Sequence, residues 1–277
     1  MTEKRTASHF NDAWIEVDKT DDPGFFVRFL DASRVRALEF ARANPAVAFA
    51  HLALKPGLSI LDCGCGTGDM LAIMAKLVAP GKAHGGDLSE AMIREARKRA
   101  DAAGAANLTF ERMDVQSLPF PDQSIDRVMA TQLLIHVPDP RKALREMCRV
   151  TAQMGRVAIS DMDWDGLAVG CTNNELARQF TRLFSNGVRN RVVVREYAGW
   201  LRAEGFVNIQ TIPLPIVFDQ WSFFKEWIIE PSVSEFISQG SMSREDADEF
   251  REDLEQRNAM GSFFAASTLY TVIGQRP

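Results

Sequence analysis

The chain has 277 residues, 46% of them hydrophobic and 25% charged, with a net charge of −5. That length suits one large domain, or one domain with a lid, and the composition is that of an ordinary soluble protein. The acidic balance argues against a nucleic-acid partner, no apolar run approaches a membrane span, and the polar start MTEKRTASHFNDAW is no secretory signal. Cys63, Cys65, Cys148 and Cys171 form no paired C-x-x-C motifs, and Cys63 and Cys65 stand two apart, which suits neither a zinc site nor a disulfide. A reducing, cytoplasmic setting is the expectation.

Taken in order, residues 1–22 read as lightly attached chain. Gly24-Phe-Phe-Val-Arg-Phe-Leu-Asp31 then leads into a helical stretch over residues 32–54, broken at Asn44-Pro45 and ended by Lys55-Pro56-Gly57. Phe25, Phe26, Arg28, Phe29 and Asp31 are denser in rings and charges than packing alone requires. Residues 59–69, SILDCGCGTGD, begin as a short apolar strand, continue through Gly64, Gly66 and Gly68 at alternate positions, and enter a helix at Asp69. Glycine allows φ > 0 and lets backbone N–H groups approach a ligand, and the helix start behind favours polar or anionic groups. The loop reads as the holder of a nucleotide-like cofactor. A dinucleotide fingerprint needs G-x-G-x-x-G, but Asp69 stands where its third glycine would fall, and no Gly-Lys-Ser/Thr follows to make a phosphate loop.

The run instead resembles the first motif of class I S-adenosylmethionine-dependent methyltransferases, an acidic residue closing the first strand and then G-x-G-x-G, matched here by Asp62, Gly64, Gly66 and Gly68. The resemblance implies an α/β fold with a doubly wound, seven-stranded, mostly parallel sheet whose last strand is antiparallel. It implies S-adenosylmethionine as methyl donor, S-adenosylhomocysteine as product and no metal; the four histidines, His9, His51, His84 and His136, form no ligand cluster.

After a helix over residues 69–78, residues 82–87 read as a strand ended by Asp87, roughly twenty residues past the glycine loop, where an acidic residue reads ribose hydroxyls. Ser89 is the better helix cap, which frees Asp87 for that role, and Leu88 offers an apolar face to adenine. Residues 107–113 alternate as a third strand; the resemblance gives Asp114 the adenine amino group. Residues 125–130 form a fourth strand. The run LPFPDQSIDRVMATQLLIHVPDP resembles the ubiquinone/menaquinone-type branch of these methyltransferases, which handle small molecules and natural products. The match covers residues 55–162, and the cofactor set it implies also takes in Phe29, Cys65, Met92, Val115 and Gln132. His136, at the pocket edge and titrating near neutrality, is the candidate base, or else a structural histidine packed beside the cofactor loop.

Residues 141–150 read as a helix and 156–161 as a fifth strand. Asp161-Met-Asp163-Trp164-Asp165-Gly166 begins like a calcium loop, but position twelve is Thr172 instead of glutamate, so calcium is rejected. Asp161 and Trp164 become acceptor candidates, against the plainer reading of a solvated acidic turn. A helical piece at 174–185, a basic cluster of Arg189, Arg191 and Arg195, a helix at 195–204 and a sixth strand at 206–212 follow. The last strand is expected over 263–275.

Residues 213–262, between strands six and seven, are far too long for a hairpin loop and carry eleven acidic against four basic residues. Phe218, Trp221, Phe223, Phe224 and Trp227 cluster in their first half, and Ser243 caps a helix with Ala247, Phe250 and Leu254 on one face. This reads as a helical cap with an aromatic underside, or else as a surface for a second subunit. The expected organisation is an N-terminal lid over 1–54, a methyltransferase core over 55–212 and 263–277, and a cap over 213–262. Phe25, Arg28, His136, Asp161, Trp164, Phe218 and Trp221 are the expected acceptor contacts, and a flat or apolar metabolite is the expected acceptor. O-methylation ranks ahead of N- and C-methylation. A protein that binds the cofactor without transferring methyl, and an NAD-dependent oxidoreductase, are the competing readings.

Overall fold

The computed structural model describes residues 12–104 and 106–277; the expectation for residues 1–11 lies outside these. Seven strands form one sheet: β1 (Ile60–Cys63), β2 (Ala83–Asp87), β3 (Leu108–Arg112), β4 (Ile125–Thr131), β5 (Thr151–Val169), β6 (Val207–Val217) and β7 (Ala265–Gln275). Their order is β3-β2-β1-β4-β5-β7-β6, parallel from β3 to β5, with β7 antiparallel to both β5 and β6. Parallel neighbours require crossovers, supplied by α3 (Asp69–Val78), α4 (Glu90–Ala103) and α5 (Pro140–Val150). The chain runs outward one way from β1 through β2 to β3, then returns to place β4 on β1's other side. That reversal opens a crevice at the carboxyl ends of β1 and β4, the place where open α/β sheets bind ligands.

β1 is buried along its whole length, as a central strand covered on both faces must be. Three of the helices start where short polar side chains meet free amides. Ser89 accepts from the Met92 amide at 3.2 Å, Asp139 from Lys142 at 2.9 Å and Ser243 from Asp246 at 3.0 Å.

Four boundaries differ from the sequence reading. α1 runs from Pro23 to Ala43, nine residues earlier than residue 32, because Asp22 accepts from the Phe25 amide and Pro23 suits the first turn. It breaks, as expected, at Asn44 before α2 (Pro45–Ala48). Residues 12–22 are firmly attached: two short 3₁₀ turns bury Ala13 and Val17 against Phe26, Leu30 and Met92. β5 is nineteen residues long and carries the acidic run onward as strand paired with β7, with a register shift between Asp163 and Ala168. β6 likewise extends to Val217.

The chain between β6 and β7 forms α8 (Trp221–Phe224), a π-helical turn (Lys225–Ile229), α9 (Glu230–Ser238) and α10 (Arg244–Ala259), once α6 (Asn174–Asn186) and α7 (Tyr197–Ala203) have passed. Ala247, Phe250 and Leu254 of α10 are fully buried, and Phe250 stacks on Phe180 of α6 at 4.9 Å. The insertion therefore shares the main hydrophobic cluster instead of standing apart from it. Among the described residues, no helix is long and apolar enough to cross a membrane.

Candidate active site

The glycine loop leaves β1 at the crevice. Gly64, Gly66 and Gly68 have φ of +70°, +56° and +76°, the left-handed conformation that glycine adopts without strain. A Cβ on Gly68 would stand 2.4 Å from the Phe110 ring, so both conformation and space demand glycine there. The Gly64 and Cys65 amides donate to the Gly86 carbonyl at 2.7 and 3.0 Å, tying the loop to β2. Cys65 is buried and its thiol pushed up by that burial, so it shapes the loop and does not ionise.

Three carboxylates stand at the ends of three adjacent strands. Asp62, in β1, is 5% exposed and accepts no hydrogen bond among the described residues; burial pushes its pKa up to about 7. Asp87, closing β2, accepts from the Gly66 amide at 3.0 Å and the Ser89 amide at 2.9 Å, so it lies across the middle of the loop. Burial raises its pKa as well, against those two hydrogen bonds. Asp114, past β3, is half-buried and held by the Gln116 amide at 2.8 Å. Leu88 is 40% exposed beside Asp87, whereas Val115 lies inside the main core and Met92 is covered by the N-terminal segment.

The N-terminal segment packs against the start of α4. Asp18 accepts from Ser89 Oγ at 2.8 Å and from the Glu90 and Ala91 amides at 2.7 and 3.0 Å, placing an anion on the positive end of α4. Arg99 of α4 bonds Asp31 of α1 at 2.9 and 3.0 Å, Asp69 of α3 at 2.6 Å and Glu95 at 2.9 Å, which ties α1 to α3. Neither Asp18 nor Arg99 was legible as a site residue, because both act across more than sixty residues of chain.

Beside the crevice, α1 and the cap meet through rings. Phe25 lies 5.0 Å from Trp227, Phe29 lies 5.7 Å from Trp227 and 5.8 Å from Phe223, and Trp14 lies 5.5 Å from Phe29. Arg36 of α1 also bonds Asp219 at 2.6 Å. Trp227 sits in the π-helical turn, whose extra residue per turn re-aims side chains and recurs at functional sites. Phe29, expected at the cofactor, thus belongs to this aromatic wall. Arg28 points outward to pair with Asp22 at 2.6 Å. Phe218 and Trp221, expected at the acceptor, pack on Phe224 and Phe263, at 5.3 and 4.9 Å.

The loop after β4 supplies the last wall. Gln132 adopts φ +55°, a conformation a non-glycine residue holds only where its surroundings fix it, and its amide donates to Ser160 O at 2.7 Å. Asn190 clamps the next residues: its side-chain amide donates to Leu134 O at 2.8 Å and Val137 O at 2.7 Å, and its backbone N–H to Ile135 O at 3.0 Å. His136, inside that clamp, stacks on Trp14 at 5.6 Å, and its buried Nδ1 has no hydrogen-bond partner among the described residues. Burial, helped by the Arg189 charge, pushes its pKa down to about 3, so it stays neutral where a solvated histidine would titrate. The sequence expectation of titration near neutrality is corrected accordingly.

Asp161 and Trp164 do not reach this site. Asp161 is fully buried beneath the post-β4 loop, accepts the Tyr197 hydroxyl at 2.5 Å, and has its pKa pushed up to about 7 by burial against that bond and the amides of Leu133, Leu134 and Ile135. Trp164 is in the main core against Phe184. Asp163 and Asp165 pair with Arg195 and Arg191 at 2.7 and 3.0 Å, so the acidic run and the basic cluster neutralise each other.

Residues 54–205 match the family model described as "Methyltransferase domain". The chain belongs to the class I S-adenosylmethionine-dependent methyltransferases. It is 33% identical, over 90% of its own length and 71% of the other, to an uncharacterized 37.1 kDa protein in transposon TN4556 of Streptomyces fradiae. It is 39% identical to the 2-phytyl-1,4-naphtoquinone methyltransferase of Synechococcus elongatus, over 40% of this methyltransferase and 48% of that one. A putative methyltransferase from Bacillus halodurans has the same fold, with a TM-score of 0.58 at 18% identity, over 85% of this chain and 99% of the other. The methyltransferase family, with the strand order above, removes the nicotinamide reading. Among the described residues, no group of three or more His, Cys, Asp or Glu side chains is placed to hold a metal ion.

Proposed function

We propose that this methyltransferase transfers a methyl group to a small, flat or apolar metabolite held between α1 and the cap, with a hydroxyl oxygen as the favoured acceptor. The observation that carries the acceptor class is the ring wall of Phe25, Phe29, Phe223 and Trp227, which meets flat apolar surfaces well and offers no charge. The naphthoquinone in the name of the Synechococcus relative is a compound of that shape.

The residues at the crevice suit S-adenosylmethionine. In this reading Asp87 takes the two ribose hydroxyls, Asp62 an ammonium group, Asp114 and Leu88 adenine, and the Gly64–Gly66–Gly68 backbone allows close approach. When bound, the cofactor supplies a methyl group activated on a positive sulfur. The chain's contribution is to hold the partners in line and exclude water, which the lid segment from Trp14 to Asp18 and α1 accomplish by covering both regions.

His136 completes the reading. In this reading the acceptor displaces Trp14 from the His136 ring, and the uncovered Nδ1 takes the acceptor hydroxyl's proton as the oxygen–methyl bond forms and the sulfur–methyl bond breaks. Incubating the protein with S-adenosylmethionine and a panel of phenols and quinols, and measuring S-adenosylhomocysteine, tests the activity. Release that depends on one acceptor class supports the proposal, and binding without release under every acceptor supports a protein that retains the cofactor. With an acceptor in hand, His136→Ala is expected to lower turnover far more than donor affinity; unchanged turnover sinks the base role.

A further inference from the structure

Arg34 of α1 reaches the glycine loop, and nothing in the sequence pattern marks it. Its Nη1 lies 3.6 Å from where a Cβ on Gly66 would stand. It is half-buried, and its electrostatic neighbours are Asp62, Asp69, Asp87 and Cys65. Although it faces three carboxylates, it makes no hydrogen bond and no ion pair among the described residues. The other guanidinium groups around it are engaged: Arg99 with Asp31, Asp69 and Glu95, Arg28 with Asp22, and Arg42 with Asp69 at 3.9 Å.

A partly desolvated guanidinium with no fork partner is an incomplete site, because its donors match a carboxylate two at a time. The carboxylates around it cannot close that fork, since none approaches within ion-pair distance. S-adenosylmethionine carries an α-ammonium, a sulfonium and ribose hydroxyls, for which Asp62 and Asp87 are suited. It also carries one α-carboxylate, which an acid-lined crevice repels unless a cation is present. We propose that Arg34 is the residue that binds the donor's α-carboxylate, so that the lid helix, and not the sheet, reads the amino-acid end of the cofactor. This rests on the reading of Asp87 and the glycine loop as the donor site.

The test compares two thioethers that differ in the amino-acid end. S-adenosylhomocysteine has the carboxylate; 5′-methylthioadenosine keeps the adenine, ribose and sulfur but lacks it. Dissociation constants are measured by calorimetry for wild type, Arg34→Ala, Arg34→Lys and Asp87→Ala, with thermal unfolding confirming that each variant is folded. Arg34→Ala is expected to weaken S-adenosylhomocysteine by about 30-fold or more, the effect of truncating one partner of a buried charge pair. Methylthioadenosine affinity stays within about threefold, Arg34→Lys falls between, and Asp87→Ala weakens both ligands. An equal loss of both ligands in Arg34→Ala, or no loss of S-adenosylhomocysteine, overturns the proposal. So does tighter methylthioadenosine binding with S-adenosylhomocysteine unchanged, which makes Arg34 a plug only. Wild type that binds neither ligand overturns the donor-site reading itself, an outcome distinct from those.

Discussion

The hydroxyl of Tyr197, on α7, donates to the buried carboxylate of Asp161, on β5, over 2.5 Å. Asp161 in turn faces the amides of Leu133, Leu134 and Ile135, so this pair underpins the loop that carries His136. Tyr197→Phe is expected to cost about 1–3 kcal/mol, the penalty for a buried polar group losing its partner. The folded pKa of Asp161 is raised from 3.8 to about 7, so its contribution is fully present below pH 3.8 and lost as pH rises through 7. Removing the Tyr197 donor raises the folded value further. Urea unfolding should therefore show a larger gap between variant and wild type at pH 8 than at pH 5; an equal gap contradicts the assignment.

Asn190 holds the same loop from the other side. Asn190→Ala leaves the Leu134 and Val137 carbonyls without their shared donor while keeping the backbone bond to Ile135. Turnover is expected to fall about tenfold through misplacement of His136, with donor affinity within about threefold. Single-turnover rates beside S-adenosylhomocysteine binding separate the two; a matched loss of both would place Asn190 in general stability.

Gly68→Ala meets two obstacles, a φ of +76° and the Phe110 ring 2.4 Å from the new Cβ. The left-handed conformation alone costs about 1–2 kcal/mol for a residue with a Cβ. Adding Phe110→Ala relieves the clash and not the conformation, so the double variant should still bind S-adenosylhomocysteine more weakly than Phe110→Ala alone. Equal binding would show the φ at Gly68 to be unimportant.

The two ends of the cap are expected to behave differently. Trp227→Ala removes a ring that touches Phe25 and Phe29 and should raise the acceptor KM about tenfold, with donor affinity unchanged. Trp221→Ala, against Phe263 at the cap's base, should leave that KM within about twofold and lower the unfolding midpoint instead. Steady-state kinetics on both variants would expose the reverse pattern if the sequence-based choice of Trp221 was right.

Much of the local structure around the crevice was legible because its determinants are local. An alternate-glycine loop between a strand and a helix, a carboxylate closing the next strand, and serine caps at Ser89 and Ser243 are each decided within a few residues of chain. The break at Asn44-Pro45 and the buried face of α10 follow from the same short-range rules. The acceptor side was legible only in composition. Phe218, Trp221, Phe223 and Trp227 look alike in the sequence, and the π-helical turn decides which of them face α1.

By itself, then, the sequence determined the glycine loop between a strand and a helix, because backbone conformation is set by neighbours in the chain, and the resemblance that this loop carries implied the family and its seven-stranded, mostly parallel sheet. Only the tertiary structure decided that β5 runs nineteen residues and buries Asp161 and Trp164, since strand length there depends on pairing with β7 a hundred residues later. It also decided that His136 is dry, that Asp18 caps α4 and that Arg34 reaches the loop. Burial and long-range charge are properties of what packs against a residue, and no window of sequence contains them.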